Sequence, residues 1–520
     1  EADIAISRLK HRMDDLKPAP PETADTALHK GRLGIAGIVF FVVAAAAPLV
    51  GMTGAVPVAI VLGNGAAVPG AYVLVGLILI IFSVGYSAMA SKVTNVGAFF
   101  AYVGRGLGII PGVGSAFTSL VAYLAVQLAV FGFFGGLVSG EMNAKFGIDL
   151  PWYVWTLLAW ALVTALSALS VDVGAKLLGV LMTLELLSLV VTGFAVFLSG
   201  DKPEGVDLAA SFAPANIFAG GLASTAGIAL AFAFASYIGF EATAIYGEES
   251  KDPHRTVPKA TYLAVITITV IFGFTAFAVV TGLGSSAVIE RTVELSTVEG
   301  VPLANPAGVL FAVAETYVGS WMVEVMSWLV ISSLFAGLLA FQNSAARYFY
   351  AMGRADVLPR ALDRVNGRGA PWTATLVTSV VTGAVIVIFW VASLDPILNL
   401  FYWFSGLAVL AIVFVEILVS LAVIAFFSRH RGEASVWASV IAPLLSILGL
   451  TVGLWLLASR FGLLAGTVAE GVDPTVTPWG LNTTGWILVL TPFVMFAVGM
   501  LVGKLRLKEE NEDAIADLVT

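Results

Sequence analysis

Long apolar runs separated by short polar connections dominate this chain. A helix needs roughly 20 apolar residues to cross a hydrocarbon layer about 30 Å thick. The apolar residues are continuous along each run instead of alternating, which excludes a membrane β-barrel. The pattern therefore predicts an all-α polytopic membrane protein. Its twelve predicted transmembrane helices, called spans one to twelve below, occupy residues 34–61, 69–91, 109–139, 151–170, 175–199, 221–247, 258–284, 318–345, 371–393, 397–427, 436–459 and 484–504.

Composition agrees with this prediction and limits the chemistry that the chain can perform. Of 520 residues, 59% are hydrophobic and only 12% are charged, against about 25% charged in soluble domains. Cysteine is absent and the four histidines fall in hydrophilic segments, so we expect no metal site and no cofactor within the membrane. The glycine-rich stretch 104–108 lacks the GK[ST] of a phosphate-binding loop. No catalytic constellation is visible, and we expect a protein that is not an enzyme and binds no nucleic acid.

The distribution of lysine and arginine predicts the topology. With the N-terminus inside, 22 of the 26 basic residues fall on the inner side, and the outer side holds only Lys145, Lys202, Arg291 and Arg460. Such a bias is typical of a helical protein in the cytoplasmic membrane with both tails in the cytoplasm. The basic loop from Arg347 to Arg368 is predicted to contact lipid headgroups, and Arg347 with Asn343 is a candidate anchor of an inner gate.

Two spans are interrupted by helix-breaking residues at corresponding places. Span one contains Pro48 and Pro57 inside its apolar run, and span six contains Gly239 and Glu241. Proline-kinked packing helices are the alternative, but the recurrence in both halves favours an inverted-repeat transporter. The predicted organisation is a tail 1–33, a five-helix repeat 34–199, a second repeat 221–427, helices eleven and twelve within 436–504, and a tail 505–520.

Four segments resemble the amino acid–polyamine–organocation (APC) superfamily of secondary transporters. They are GYSAMASKVTNVGAFFAYVGRGLG at 85–108, FASYIGFEATAIYGEESKDPHRTVPKA at 234–260, FQNSAARYFYAMGRADVLPRAL at 341–362 and AAAPLVGMTGAVP at 45–57. The resemblance implies the leucine-transporter-type fold, with five-plus-five inverted repeats, broken helices one and six, and two extra C-terminal helices. The first-span segment departs from the commoner Gly-Ser-Gly form of that family.

The helix breaks suggest how a substrate would bind. A broken helix exposes N–H groups at the start of one half and carbonyls at the end of the other, which suit a carboxylate and an ammonium respectively. A zwitterionic amino acid would use both ends, whereas a polyamine or other organic amine would use only the carbonyls. The predicted amide donors are Gly51, Met52, Thr53 and Gly54, the predicted carbonyls run from Ala233 to Ser236, and Tyr237, Gly239, Glu241 and Gln127 complete the predicted binding set.

Two members of that set have a structural interpretation as well. Glu241 either binds a cationic group or proton, or is a hydrogen-bonded packing residue at the break. Gln127 either contacts substrate or joins helices through its amide. Both alternatives stay open on the sequence.

Glu185, in the middle of span five, is the candidate for ion coupling. The resembled family often carries a lysine near this place in its sodium-independent members, so the charge is reversed here. A carboxylate could take up and release a proton, or complete a Na⁺ site with Ser332, Ser333 and carbonyls near Ala47 and Val50. The alternative is a structural glutamate paired with another helix. Glu416 in span ten receives no assignment.

We therefore expect a secondary active transporter that moves amino acids by alternating access, coupled to H⁺ or Na⁺ and working as a monomer among membrane lipids. A polyamine or organic amine transporter and an amino acid antiporter are the alternatives within the same class. An ion channel or a substrate sensor on the same scaffold is the alternative outside it, although no selectivity-filter sequence is visible.

Overall fold

The computed structural model describes residues 34–93, 99–169, 171–247, 250–298, 300–303, 305–367 and 369–506, with the backbone alone over 171–178. The predicted tail 1–33, nearly all of the predicted tail 505–520 and part of the first family-like segment lie outside the described residues.

Within those residues the chain forms twelve helices that are long and apolar enough to cross a membrane, which confirms the predicted number and order of spans. The spans are Ile35–Ala46 with Pro48–Leu62, Val68–Ala90, Ile109–Phe146, Trp152–Leu169, Val171–Leu198, Thr225–Ser236 with Phe240–Tyr246, Pro253–Leu283, Ser320–Arg354, Trp372–Val391, Pro396–Arg429, Trp437–Ser459 and Thr483–Arg506.

Short helices fill the longer connections. Phe99–Leu107 lies between spans two and three, and Val288–Ser296 and Ala307–Tyr317 lie between spans seven and eight. The last two pack against the second half of span one. The stretch 285–317, predicted only as a polar connection, is therefore a helical cover over one end of the bundle.

Span one breaks at Ala47. This residue has φ +42°, and its N–H returns to the carbonyls of Val43 and Ala44, which ends the first half-helix. Pro48 then starts the second half-helix, because proline suits a first helical position, where no N–H partner is needed. The predicted break is confirmed, but it lies at the Ala47–Pro48 pair, ahead of the predicted glycines.

Span six breaks between Ser236 and Phe240. An α-helix ends at Ser236, and a 3₁₀ helix over Phe240–Tyr246 follows Gly239, whose φ is +113°. A Cβ on Gly239 would lie 2.9 Å from the Cβ of Ala45 and 3.1 Å from its carbonyl carbon. Glycine is therefore required here for two reasons. The positive φ disfavours other residues, and Ala45 leaves no room for a Cβ. The two breaks pack directly against each other.

Burial places span six at the centre of the bundle. In its most apolar stretch 89% of the residues are buried, against 22% in span four and 28% in span twelve. Spans four and twelve keep large apolar side chains on the outer surface, where lipid would cover them. The broken helix with its polar residues thus lies among other helices.

Span eight is longer than predicted and corrects the assignment of Arg347. The helix continues to Arg354, and Arg347 is 1% exposed instead of reaching lipid headgroups. Its guanidinium donates to the Asn343 carbonyl (3.1 Å) and lies 4.8 Å from the centre of the Tyr246 ring. The Tyr246 ring stacks on Phe41 of span one at 5.2 Å. The cation–π contact and the helix carbonyl hold the charge inside the protein.

Candidate functional site

Glu241 sits at the break of span six with its carboxyl group fully enclosed. One carboxyl oxygen accepts from the Tyr123 hydroxyl of span three (3.1 Å), and the other accepts from the backbone N–H of Gly239 (2.8 Å). Its own carbonyl accepts from the Tyr86 hydroxyl at 2.7 Å. These contacts correspond to the structural interpretation of Glu241, because the side chain caps the second half of its own broken helix and joins it to span three.

Glu185 contacts the other break. Its carboxyl oxygen accepts from the N–H of Leu49 (2.7 Å), the second residue of the half-helix that begins at Pro48. The side chain is 1% exposed. The N-terminus of a helix carries partial positive charge, so this carboxyl group lies where a negative charge is favoured. Span five is thereby hydrogen-bonded to the start of the second half of span one, which is a broken helix.

The predicted cation site around Glu185 assembles only in part. The Ser333 hydroxyl lies beside the carboxyl group, without a hydrogen bond of ordinary geometry. The Ser332 hydroxyl instead donates to the Leu329 carbonyl of its own helix (2.9 Å) and is only half-buried. Adjacent helical residues point about 100° apart, so one of the two serines faces Glu185 and the other does not.

The carbonyls predicted for that site accept local hydrogen bonds. The Ala47 carbonyl accepts from the N–H of Gly51 (3.0 Å), and the Val50 carbonyl accepts from the Thr53 hydroxyl (3.2 Å). Ala47 and Val50 lie on either side of Leu49 in the chain, and the N–H of Leu49 binds Glu185, so both carbonyls belong to the segment that contacts Glu185. The described structure brings Glu185, Ser333 and this segment together.

The predicted amide donors of span one need a correction. Gly51 already donates to Ala47, and Met52, Thr53 and Gly54 lie further inside the same α-helix, where each N–H bonds to the carbonyl four residues before it. The half-helix starts at Pro48, three residues before Gly51, the first of the predicted donors. The amides at its end are those of Leu49 and Val50, and Glu185 takes the first.

Gln127 joins helices in this structure. Its side-chain amide donates to Gln342 of span eight, whose own amide donates to the Thr375 carbonyl (3.1 Å) and the Ser379 hydroxyl (2.9 Å) of span nine. This chain of amides connects spans three, eight and nine. It matches the structural alternative for Gln127, and the described contacts place it in no substrate cavity.

The end of the first half of span six is held by hydroxyl groups. The Ser236 hydroxyl pairs with the Tyr72 hydroxyl (2.9 Å), and the Tyr237 hydroxyl donates to the Tyr72 carbonyl (2.9 Å). Tyr237 also packs edge-on against Phe272 of span seven, at 5.2 Å between ring centres. The carbonyls from Ala233 to Ser236 form the last turn before the break, as predicted, and this turn is fixed to span two.

Two residues near the breaks received no role from the sequence. A Cβ added to Gly337 of span eight would lie 3.8 Å from the Ala44 carbonyl and 3.9 Å from Val130 of span three, so a larger side chain would fill the space beside the end of the first half-helix. Glu416 of span ten is buried and lines a small cavity together with Tyr237 and Phe240 at the break of span six. Glu416 was visible as an acid in an apolar run, but a helix sequence alone does not indicate which neighbours its residues meet.

Sequence comparison relates this chain to a known protein family. The profile of the amino acid permease family matches residues 37–512, which include both breaks and all three buried glutamates. The chain belongs to this family. The expected superfamily membership is thereby confirmed, and the permease is a multi-pass membrane protein.

Individual relatives of the permease are distant. A branched-chain amino acid permease of Lactococcus lactis is 25% identical over 338 residues, covering 60% of this chain and 66% of that protein. A histidine permease of the same organism is 23% identical over 322 residues, covering 60% and 63%. A branched-chain amino acid permease of Bacillus subtilis is 23% identical over 342 residues, covering 60% and 66%. The chain thus spans less than two thirds of the length of these relatives.

Proposed function

We propose that this permease moves amino acids across the cytoplasmic membrane by alternating access between its two five-helix repeats. The observation that carries the proposal is the meeting of the two helix breaks, where Gly239 of span six packs against Ala45 of span one. Half-helices that meet at the centre of a bundle can tilt against their other halves, and their ends offer opposite partial charges to a ligand.

The substrate class follows from those two ends. The Val50 amide and the carbonyls from Ala233 to Ser236 offer a donor and acceptors that suit an α-carboxylate and an α-ammonium. Apolar small residues and aromatic rings surround both ends. Two of the relatives are branched-chain amino acid permeases, and together with this lining they favour branched-chain amino acids as first candidates.

Orientation and coupling are part of the same proposal. The charge bias supports cytoplasmic tails, and ion pairs Lys92–Glu433 (3.0 Å) and Lys145–Glu324 (2.6 Å) each join residues assigned to one side. We assign the coupling ion, H⁺ or Na⁺, to the surroundings of Glu185. We further propose that the permease works as a monomer in contact with membrane lipids.

An organic amine or an exchanged amino acid is the second candidate substrate. It is favoured by one observation, the burial of three carboxyl groups within the bundle, at Glu185, Glu241 and Glu416. Buried acids are the usual partners of a cationic group in a membrane protein. An amine would need no contact with the amides of span one.

A thermal-shift screen of purified protein against amino acids and amines tests the proposal. A ligand present at a hundredfold excess over its Kd stabilises the folded state by about 2.7 kcal/mol. We expect L-valine, L-leucine and L-isoleucine to raise Tm, and their decarboxylated amines to have no effect. Stabilisation by the amines alone would contradict the amino acid assignment and favour the second candidate.

Substitution of Gly54 tests the position of the site. A Cβ at Gly54 would meet nothing within 4 Å, so the helix faces open space there. We expect Gly54→Leu to leave Tm of the free protein nearly unchanged and to weaken binding at least about tenfold, or about 1.4 kcal/mol, by filling that space. The measurement is the ligand-induced shift in Tm.

Gly140→Leu is the matched control for Gly54→Leu. Gly140 is also a helical glycine with nothing within 4 Å, but it is exposed near one end of span three. Binding should therefore be unchanged. Wild-type affinity in both variants would move the site away from span one.

A further inference from the structure

A small cavity lies between spans two, six and ten, apart from the contacts of Glu185. Span ten contributes Glu416 as the one acidic residue of its lining. The other residues around it are Leu79, Phe234, Tyr237, Ile238, Phe240, Val409, Ile412 and Val413. The cavity adjoins the break of span six through Tyr237 and Phe240. It is therefore placed to change shape if that helix moves.

Glu416 is the buried acid that the contacts described so far do not use. It is 1% exposed, and within the described residues neither of its carboxyl oxygens has a hydrogen-bond partner. Glu185 and Glu241 each accept at least one backbone N–H at 2.7–2.8 Å. An ionised carboxylate without donors or a cation is strongly disfavoured away from water. The geometry of Glu416 thus fits a neutral carboxylic acid.

The size and lining of the cavity limit what Glu416 can bind. The cavity has room for roughly one water molecule, which is too little for an amino acid. A metal ion would need several further oxygen ligands. Tyr237 brings the other polar side chain, but its hydroxyl already donates to the Tyr72 carbonyl. A proton is the one cation that fits this site.

The titratable groups around Glu416 include a second buried acid, Glu241, and the two differ in their hydrogen-bond partners. The helices packed against span ten carry Tyr72, Tyr86, Tyr102, Arg105 and Tyr123 and, towards their ends, Glu141, Lys145, Lys504 and Arg506, and the break of span six adds Tyr237 and Glu241. Among these, Glu241 is the other acid in the bundle centre, and it directly follows Phe240, which lines the cavity. Glu241 has donors in Tyr123 and Gly239 that stabilise an anion. Of these two buried acids, Glu416 has no donor among the described residues, so a negative charge is less well supported on Glu416 than on Glu241.

We propose that Glu416 is a second proton-binding residue of this permease, separate from Glu185. It holds its proton while the cavity is closed, as in the structure described here. When span six moves away from span ten, water enters, the O–H bond of the carboxyl group breaks, and the proton passes to that water. This last step rests on the transport cycle proposed above, whereas the protonated state of the closed cavity does not.

Infrared spectroscopy of the purified protein tests the protonated state without any substrate. A carboxylic acid and a carboxylate have different C=O stretching bands, so the two forms are counted directly. At about pH 7, where an ordinary glutamate is ionised, we expect Glu416→Gln to lack acid band intensity equal to one carboxyl group of the wild type. The isosteric glutamine is neutral, so it should fold as the protonated acid does.

Two further variants complete this experiment. Glu315→Gln removes an exposed glutamate and should leave the acid band unchanged. Glu416→Asp should keep the band but shift its frequency, and it replaces Glu416→Gln if that variant does not fold. An acid band of equal intensity and frequency in the wild type and both Glu416 variants would overturn the proposal.

Exchange of labelled valine in liposomes tests the release step. With equal pH on both sides, we expect the exchange rate of Glu416→Gln to vary less with pH than the wild-type rate, because Glu185 is then the remaining proposed proton site. Retention of the wild-type pH profile would contradict release from Glu416. If the wild type exchanges no amino acid, the proposed function fails, and the infrared result still decides the protonated state.

Discussion

Glu185→Gln is expected to abolish concentrative uptake while leaving exchange of substrate intact. Glutamine retains an oxygen that can accept from the N–H of Leu49, so the start of the second half-helix of span one keeps its cap. It cannot release a proton or balance a cation. A carrier without a coupled ion only equilibrates its substrate, so labelled valine should reach equal concentrations on both sides of a liposome membrane.

Glu185→Ala separates the charge of this residue from its role as a cap. Alanine removes the acceptor as well and leaves a buried N–H unsatisfied, which costs about 1–3 kcal/mol. We expect Tm to fall in Glu185→Ala and to stay near the wild-type value in Glu185→Gln. Normal accumulation of valine by Glu185→Gln, driven by a pH or Na⁺ gradient, would show that Glu185 is a structural cap and that coupling occurs elsewhere.

The spans could be predicted from sequence because membrane thickness sets their length and hydrocarbon sets their composition. The largest departure from the predicted bounds is at the end of span eight. Arg347 stops an apolar window, yet the helix continues for two more turns because Tyr246 and the Asn343 carbonyl accept the guanidinium. A hydropathy argument assigns such a charge to water or lipid headgroups. The protein interior supplied the partner here.

The breaks could be predicted as well, but their exact residues could not. In span six the predicted Gly239 has the positive φ that marks the break. In span one the glycines at 51 and 54 were misleading, because both lie within regular helix. The residue with positive φ is Ala47, whose signal was the proline after it, since proline disfavours helical backbone in the residue before it.

Which side chains contact each other across helices could not be predicted from the sequence. Gln127 meets Gln342, and Glu241 meets Tyr123, at separations of 215 and 118 residues. Such contacts depend on how each helix is rotated about its axis, which apolar periodicity fixes poorly in a helix surrounded on all sides. The same limit left Glu416 unassigned. A polar residue in a buried span can be detected from sequence, and its partner is found only in the fold.

Gly239→Ala is expected to lower stability and abolish ligand binding together. An L-residue in the left-handed region costs about 1–2 kcal/mol. The new methyl group would also approach Ala45 to 2.9 Å and the Ala46 nitrogen to 3.2 Å, and overpacking of this kind costs about 1–3 kcal/mol. We expect a Tm well below that of the wild type and no shift with branched-chain amino acids.

Two controls separate the contributions at Gly239. Gly108→Ala meets the same backbone penalty, since Gly108 has φ +109°, but has nothing within 4 Å of the added methyl group. Its loss of stability measures the conformational cost alone. Adding Ala45→Gly to Gly239→Ala removes the nearest contact and should restore part of the lost stability and binding, because residues in contact are not additive. If Gly239→Ala resembles Gly108→Ala and Ala45→Gly restores nothing, the two helix breaks do not depend on their mutual contact, and a substrate site between them loses its main support.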